Sequence, residues 1–495
     1  MSKLAVGGLL AVLVAGCVDE PEADSITVND IRKHGPFLPS NIPVPNEAGM
    51  STTVSTVGKI DLTNEFFQDL GTNGRRCVSC HLPTAGWGIT PEQTQEIFDA
   101  TRGGELDDGL GLGAIFRLND GANRPDADVS TLAKRRQNYS MLLNHGLIRV
   151  GIGIPTGAEF DLAAVDDPYG FASAAELSLF RRPLPTTNLK FLATVMWDGR
   201  ETVPGKTIHF DLSQQSSNAT TGHAQGDDLD TDQRESIVAL EMTLHTAQIT
   251  DWGAGDLRAS GAKGGPNAII AQEFHIGIND NFGDCIDADN TGCRIVGAPL
   301  GSGTRGAPFT PNVFTIYNGW NNSSNSKRKQ VARGQKLFNT RLINITGVSG
   351  LNDEAAFGNP PVVPGTCTTC HNTPNGGNHS VVAPLNIGLT DESVRTPDMP
   401  LYTLQCNATG IANGACTAGQ KVKTTDPGRA LISGKWKHIG RFKGPILRGL
   451  ASRAPYFHNG LAKDLGEAVD FYNTRFNMNL TSAERADMIA FLETL

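Results

Sequence analysis

The chain carries one short pattern twice: Cys77-Val78-Ser79-Cys80-His81 and, 290 positions later, Cys367-Thr368-Thr369-Cys370-His371. Two thiols separated by two residues, with a histidine directly after the second, suit covalent attachment of haem c. The thiols form thioethers to the vinyl groups, and the imidazole becomes an axial ligand of the iron. A redox dithiol needs no adjoining histidine, and a four-ligand zinc site would want its thiols closer together. The repetition predicts a c-type cytochrome with two covalently bound haem c groups. They would attach at Cys77 and Cys80 and at Cys367 and Cys370, with His81 and His371 on the irons. Such a fold must wrap two flat, largely apolar cofactors.

The chain begins with a short basic start, Met1-Ser2-Lys3, followed by an apolar run over residues 4–16 that is too short to span a bilayer. The run ends in Val14-Ala15-Gly16-Cys17, which looks like a lipoprotein cleavage box. Residues 1–17 are therefore expected to be a signal peptide, with Cys17 lipidated and the chain held in the periplasm by lipid alone. Val18, rather than an aspartate, favours the outer membrane. Nine cysteines less one for lipid and four for haem leave Cys285, Cys293, Cys406 and Cys416. Proximity pairs them as 285–293 and 406–416 in an oxidising compartment. A net charge of −9 argues against a nucleic-acid partner.

A length of 495 residues suffices for two or three domains. Residues 18–55 mix Pro, Asn, Asp and Ser without helical or strand period, and read as a tether and extended lead-in. A short helix is expected over 64–70, and another over 90–101 with Thr90 as cap, Pro91 first and Gln93 near the capping-box place. Further helices are expected over 129–146, 232–248 and 328–342, with a last one opened by the box Thr481-Ser482-Ala483-Glu484. Strand signals are few. The expected fold is mainly α: two c-type cytochrome-like haem domains with long loops and little β, over 56–325 and 326–495.

Four further segments stand in order: Asn138-Tyr139-Ser140-Met141, Met196-Trp197-Asp198-Gly199-Arg200, Phe442-Lys443-Gly444-Pro445-Ile446-Leu447-Arg448 and Ala454-Pro455-Tyr456-Phe457-His458-Asn459-Gly460. They resemble the N-S-P-like, F-W-D-G-R, F-K-x-P-x-L-R and A-P-Y-x-H-D-G segments of the bacterial di-haem cytochrome c peroxidase family, which includes the methylamine-utilisation di-haem enzyme. The likeness runs from about 65 to 495. It implies reduction of hydrogen peroxide at the first haem with electrons from a small cytochrome c or cupredoxin. It also implies a relay through Trp197 between the haems, and a homodimer, since the family often forms dimers. An indole suits a relay because it loses an electron more readily than any aliphatic side chain; packing is the plainer role for Trp197.

In the family's peroxidases a second histidine shortly after the motif often closes the first iron. Here no histidine lies between His81 and His145, so that iron is expected to be five-coordinate or to hold water. The family also places a glutamine after W-D-G-R and a catalytic glutamate ten residues further on. Counted from the local L-x-x-Q, these places fall on Gln215 and Gln225. An amide can orient peroxide oxygens but cannot carry a proton between them. His223 could, or it could be an exposed loop histidine. Glu241-Met242 resembles the family's E-M pair, but Glu241 sits mid-helix among Ile237, Val238, Leu240 and Leu244, where a structural role is expected.

Fourteen residues beyond the A-P-Y-x-H histidine, the family's peroxidases have an axial methionine and the methylamine-utilisation enzyme a tyrosine. That place is Tyr472, with His458 and Met478 as alternative ligands of the second iron. Tyrosinate would lower the potential where a thioether raises it. Gln225 and Tyr472 both lean toward peroxide-driven oxidation of another protein or small substrate; a non-catalytic di-haem electron carrier is a third reading. The resemblance also implies an inter-domain calcium ion held by Asn138 and the carbonyls of Arg453 and Pro455. Asp287-Ala288-Asp289-Asn290-Thr291-Gly292 looks like half a calcium loop, lacks the later glutamate, and reads as a polar turn.

Overall fold

The computed structural model describes residues 37–272, 274, 313–377 and 383–495. The leader, Cys17, Cys285, Cys293 and the turn over 287–292 lie outside the described residues.

The expectation of a mainly α fold is overturned. Among the described residues helix accounts for 34% and strand for 17%. Thirteen strands make five small antiparallel sheets among the described residues. The expected lead-in is itself part of the body from Phe37 onward. Phe37–Pro39 pairs with Lys59–Asp61, and Pro43–Asn46 forms a hairpin with Gly49–Ser55. Gly49–Ser55 then pairs along its length with Leu244–Asp251. Its residues, Gly-Met-Ser-Thr-Thr-Val-Ser, lack apolar alternation because side chains on both faces are buried.

The same pairing shortens the helix expected over 232–248. Thr231–Thr243 is helical, opened by a reciprocal box between Asp230 and Gln233, and the chain then turns into the strand Leu244–Asp251. Thr246, Ile249 and Thr250 are β-branched and suit a pleated, buried surface better than a helix. A further sheet joins the two halves: Phe160–Asp166 pairs with Leu401–Cys406, which pairs with Lys421–Thr424. A disulfide links Cys406 to Cys416 beside this sheet.

Pro91–Thr101 is helical, its Gln93 N–H donating to the Thr90 hydroxyl at 3.3 Å. The stretch 129–146 divides into Leu132–Asn138 and Ser140–His145 at Tyr139, whose hydroxyl donates to the Phe116 carbonyl. The helix expected over 64–70 is a single turn, Glu65–Phe67. Near the C-terminus, Ser326–Thr340 packs on Ser482–Leu492, which Thr481 and Glu484 cap reciprocally. Phe314, Phe338 and Phe491 meet edge to face between them, each contributing roughly 1.5–3 kcal/mol by burial. A Cβ on Gly334 would fall 1.9 Å from the Asp487 carbonyl oxygen, so the crossing needs glycine. Phe338, Met488 and Leu492 from these helices face the second C-x-x-C-H motif across a cavity.

Candidate functional site

Each C-x-x-C-H motif opens onto its own large cavity. The first is lined by Cys77, Cys80 and His81, and the second by Cys367, Cys370 and His371. The four thiols are unpaired, and burial pushes Cys77, Cys367 and Cys370 up to about 12 and Cys80 to about 11. They are neutral thiols, unlike an activated redox pair. Among the described residues no group of three or more His, Cys, Asp or Glu side chains is placed to hold a metal ion.

Each motif histidine is oriented from behind. His81 Nδ1 donates to the Trp87 carbonyl at 3.2 Å, and His371 Nδ1 to the Gly376 carbonyl at 2.9 Å. This fixes the tautomer and leaves Nε2 as a lone pair suited to iron. Trp87 is fully buried and its indole N–H donates to Thr53 in Gly49–Ser55. The N-terminal strand thus helps position His81. Large apolar cavities, neutral thiols and pre-oriented imidazoles fit haem c at both places.

The cavities share a wall: Trp197 and Lys443 line both. Trp197 donates from Nε1 to the Arg182 carbonyl at 2.8 Å, and its own carbonyl accepts the Lys443 backbone N–H at 2.9 Å. The adjoining Asp198 is buried between cations. Burial alone would raise its pKa, yet Arg181 and Arg200 hold it down at about 2. Arg181 also grips Asp426 through two bonds of 2.7 and 2.9 Å, so the Trp197 loop is tied to the second half of the chain. Lys443 Nζ donates to the Thr194 carbonyl, and burial lowers its pKa to about 7.

In the first cavity, the helix Ile208–His223 presents Leu212, Gln215, Ser216, Ala219, Thr220 and His223, spaced to lie on one face. His223 is about a third exposed, and its Nδ1 lies 2.7 Å from Asp120 Oδ2, which also meets Arg75. Gln225 is exposed in the loop beyond the helix and is not part of the cavity wall. Its side chain accepts from Asn73, and its carbonyl from Thr72. Glu241, expected to be structural, is instead in the cavity wall. It is 3% exposed, its Oε2 has no hydrogen-bond partner, and burial pushes its pKa up to about 8. The Glu241-Met242 pair is the sequence signal that points to this residue, and the helix period points to its burial.

Tyr472, His458 and Met478 all line the second cavity. Tyr472 faces His371 edge-on with ring centroids 6.4 Å apart. His458 stacks on Phe442 at 4.0 Å and meets Trp197 edge-on at 6.0 Å, with neither ring nitrogen bonded. Two of the calcium donors implied by the resemblance take part in hydrogen bonds: the Asn138 amide N–H groups donate to the carbonyls of Asp128 and Lys134, and the Arg453 carbonyl oxygen accepts from Arg182. Pro455 follows a cis peptide bond, within the same segment.

Fold and site together define a chain built around two apolar cavities, each lined by a C-x-x-C-H motif and joined at Trp197. No family model matches it. Over 140 residues it is 32% identical to the cytochrome-c peroxidase IdrP2 of Denitromonas iodatirespirans and 29% identical to the cytochrome-c peroxidase IdrP1 of Pseudomonas sp. strain SCT. Each match covers 26% of this chain and 36% of the relative, so the likeness spans about a third of their length. These matches bear out the resemblance to the bacterial cytochrome c peroxidase family.

Proposed function

We propose that the protein is a lipid-anchored periplasmic peroxidase with two haem c groups. It reduces hydrogen peroxide at the first cavity with two electrons, drawn through the second cavity from a small cytochrome c or cupredoxin, and two protons. The observation that carries this reading is the shared wall at Trp197, which brings an oxidisable ring against both cofactor cavities. When bound, haem c supplies the iron and the redox chemistry at each place.

The chain's own residues supply the protons and the path. Glu241, with its pKa near 8, holds a proton at neutral pH and can deliver it to a peroxide oxygen as water forms. The Gln215 amide lines the same cavity and can orient the substrate without exchanging its proton. The Asp120–His223 pair is partly open to solvent and can return a proton to the cavity. Trp197, held by its bond to Arg182 and by the Asp198–Arg181–Asp426 cluster, links the halves.

A second reading, peroxide-driven oxidation of another protein or small substrate, is favoured by Tyr472 facing His371. Mixing the holoprotein with peroxide and a reduced small cytochrome tests both. Peroxide-dependent oxidation of the donor supports the peroxidase. Peroxide consumption with no donor oxidation favours the second reading, and no reaction leaves an electron carrier.

A further inference from the structure

Where the resemblance implies a metal ion, the chain places a buried cation of its own. Arg182 is 7% exposed, and its guanidinium is bonded to backbone carbonyls rather than to a carboxylate. Nη1 donates to His145 at 2.9 Å; Nη2 donates to Ile89 at 2.6 Å and Arg453 at 3.1 Å, and reaches Ala454 at 3.4 Å. Two of these carbonyls come from the first half of the chain and two from the second. The Arg182 backbone N–H donates to the His458 carbonyl, and its carbonyl takes the Trp197 indole. One residue thus joins both halves and the shared wall.

Two further observations fit this role. Gly146 has φ +61°, and a Cβ there would come within 2.6 Å of Arg182 Nη1, so glycine leaves the seat free for the guanidinium. A second guanidinium, that of Arg453, lies beside the first and bonds to the carbonyls of Ile446, Arg448 and Gly449. A guanidinium keeps its proton throughout the neutral range, so both side chains carry a positive charge here. A divalent ion drawn to the Arg453 and Pro455 carbonyls would sit against two fixed positive charges.

We propose that Arg182 is the resident cation joining the two halves of the chain, and that the protein takes no calcium at this position. The inference rests on the family reading only for where calcium would sit. It is tested without peroxidase activity, so the two can fail separately. The experiment is thermal melting of the purified holoprotein with a calcium chelator and with added calcium, alongside metal analysis after gel filtration. The expected result is an unchanged melting temperature and far less than one calcium per chain. A melting temperature lowered by chelation, with one calcium retained beforehand, would overturn the proposal. Arg182→Gln leaves four carbonyls without a cation and should melt well below the wild type, and Arg182→Lys, which keeps the charge, should recover part of the loss. An R182Q protein melting with the wild type would also overturn it. If R182Q does not fold, chelation of the wild type still decides.

Discussion

Replacing Glu241 with glutamine keeps the side chain's shape and removes its proton, and two observables should move in opposite directions. Burial raises this carboxyl from 4.5 to about 8, so at pH 7 roughly nine in ten chains carry the proton. Loss of a positioned proton donor costs about 10²–10⁴-fold in rate, or roughly 3–5 kcal/mol of barrier. Stability should rise instead. A carboxyl with a raised folded pKa contributes fully below its unfolded value of 4.5 and loses that contribution as the pH climbs through about 8. The difference, 8 less 4.5, is about 3.5 units, each worth ~1.36 kcal/mol, so the wild type gives up about 3 kcal/mol by pH 7 and about 5 above pH 8. Glutamine gives up none of it. Steady-state peroxide reduction and denaturant unfolding across this pH range read the two effects on the same samples. Wild-type turnover in E241Q, together with a stability profile parallel to the wild type's, would refute the assignment.

Trp197→Phe removes the oxidisable ring and the bond to the Arg182 carbonyl; donor oxidation should fall at least ~tenfold, with about 1 kcal/mol of stability lost, and donor turnover at the wild-type rate would exclude the relay. Tyr472→Phe should shift the absorption spectrum of the second haem and raise its potential, measured by redox titration; a spectrum and potential unmoved would remove Tyr472 as a ligand. Lys443→Met tests the buried cation in the shared wall. A lysine whose folded pKa is depressed from 10.5 to about 7 costs stability below pH 7 and ceases to do so as the pH approaches 10.5. The wild type should therefore gain stability over that window in urea unfolding, and K443M should lose the gain.

What the sequence makes legible is what depends on local spacing. The paired C-x-x-C-H motifs, Trp197 and the capped helix Ser482–Leu492 are all decided within a few residues, and the structure places both motifs and Trp197 on the cavity walls. Glu241 was obscured by counting. The helix Ile208–His223 runs two turns past Gln215, and a loop follows before the next helix begins at Thr231, so a ten-residue step lands on exposed Gln225. Glu241 enters the same cavity from a second helix packed on the first. The sheets were hidden for another reason. Most of their strands are short, and several form by distant pairing, as where Thr53 meets Thr246 across 193 residues. Local propensity says little about such pairs. Arg182 carries no motif at all; its role emerges only where carbonyls from both halves converge on it.

Two haems sharing one wall, with only the first iron open, would bind carbon monoxide unequally. Carbon monoxide titration of the reduced holoprotein, with covalent haem counted on the same sample, tests this most directly. The account predicts two haems per chain and one carbon monoxide bound for every two haems. A single haem per chain, or uptake by neither haem or by both, would contradict it.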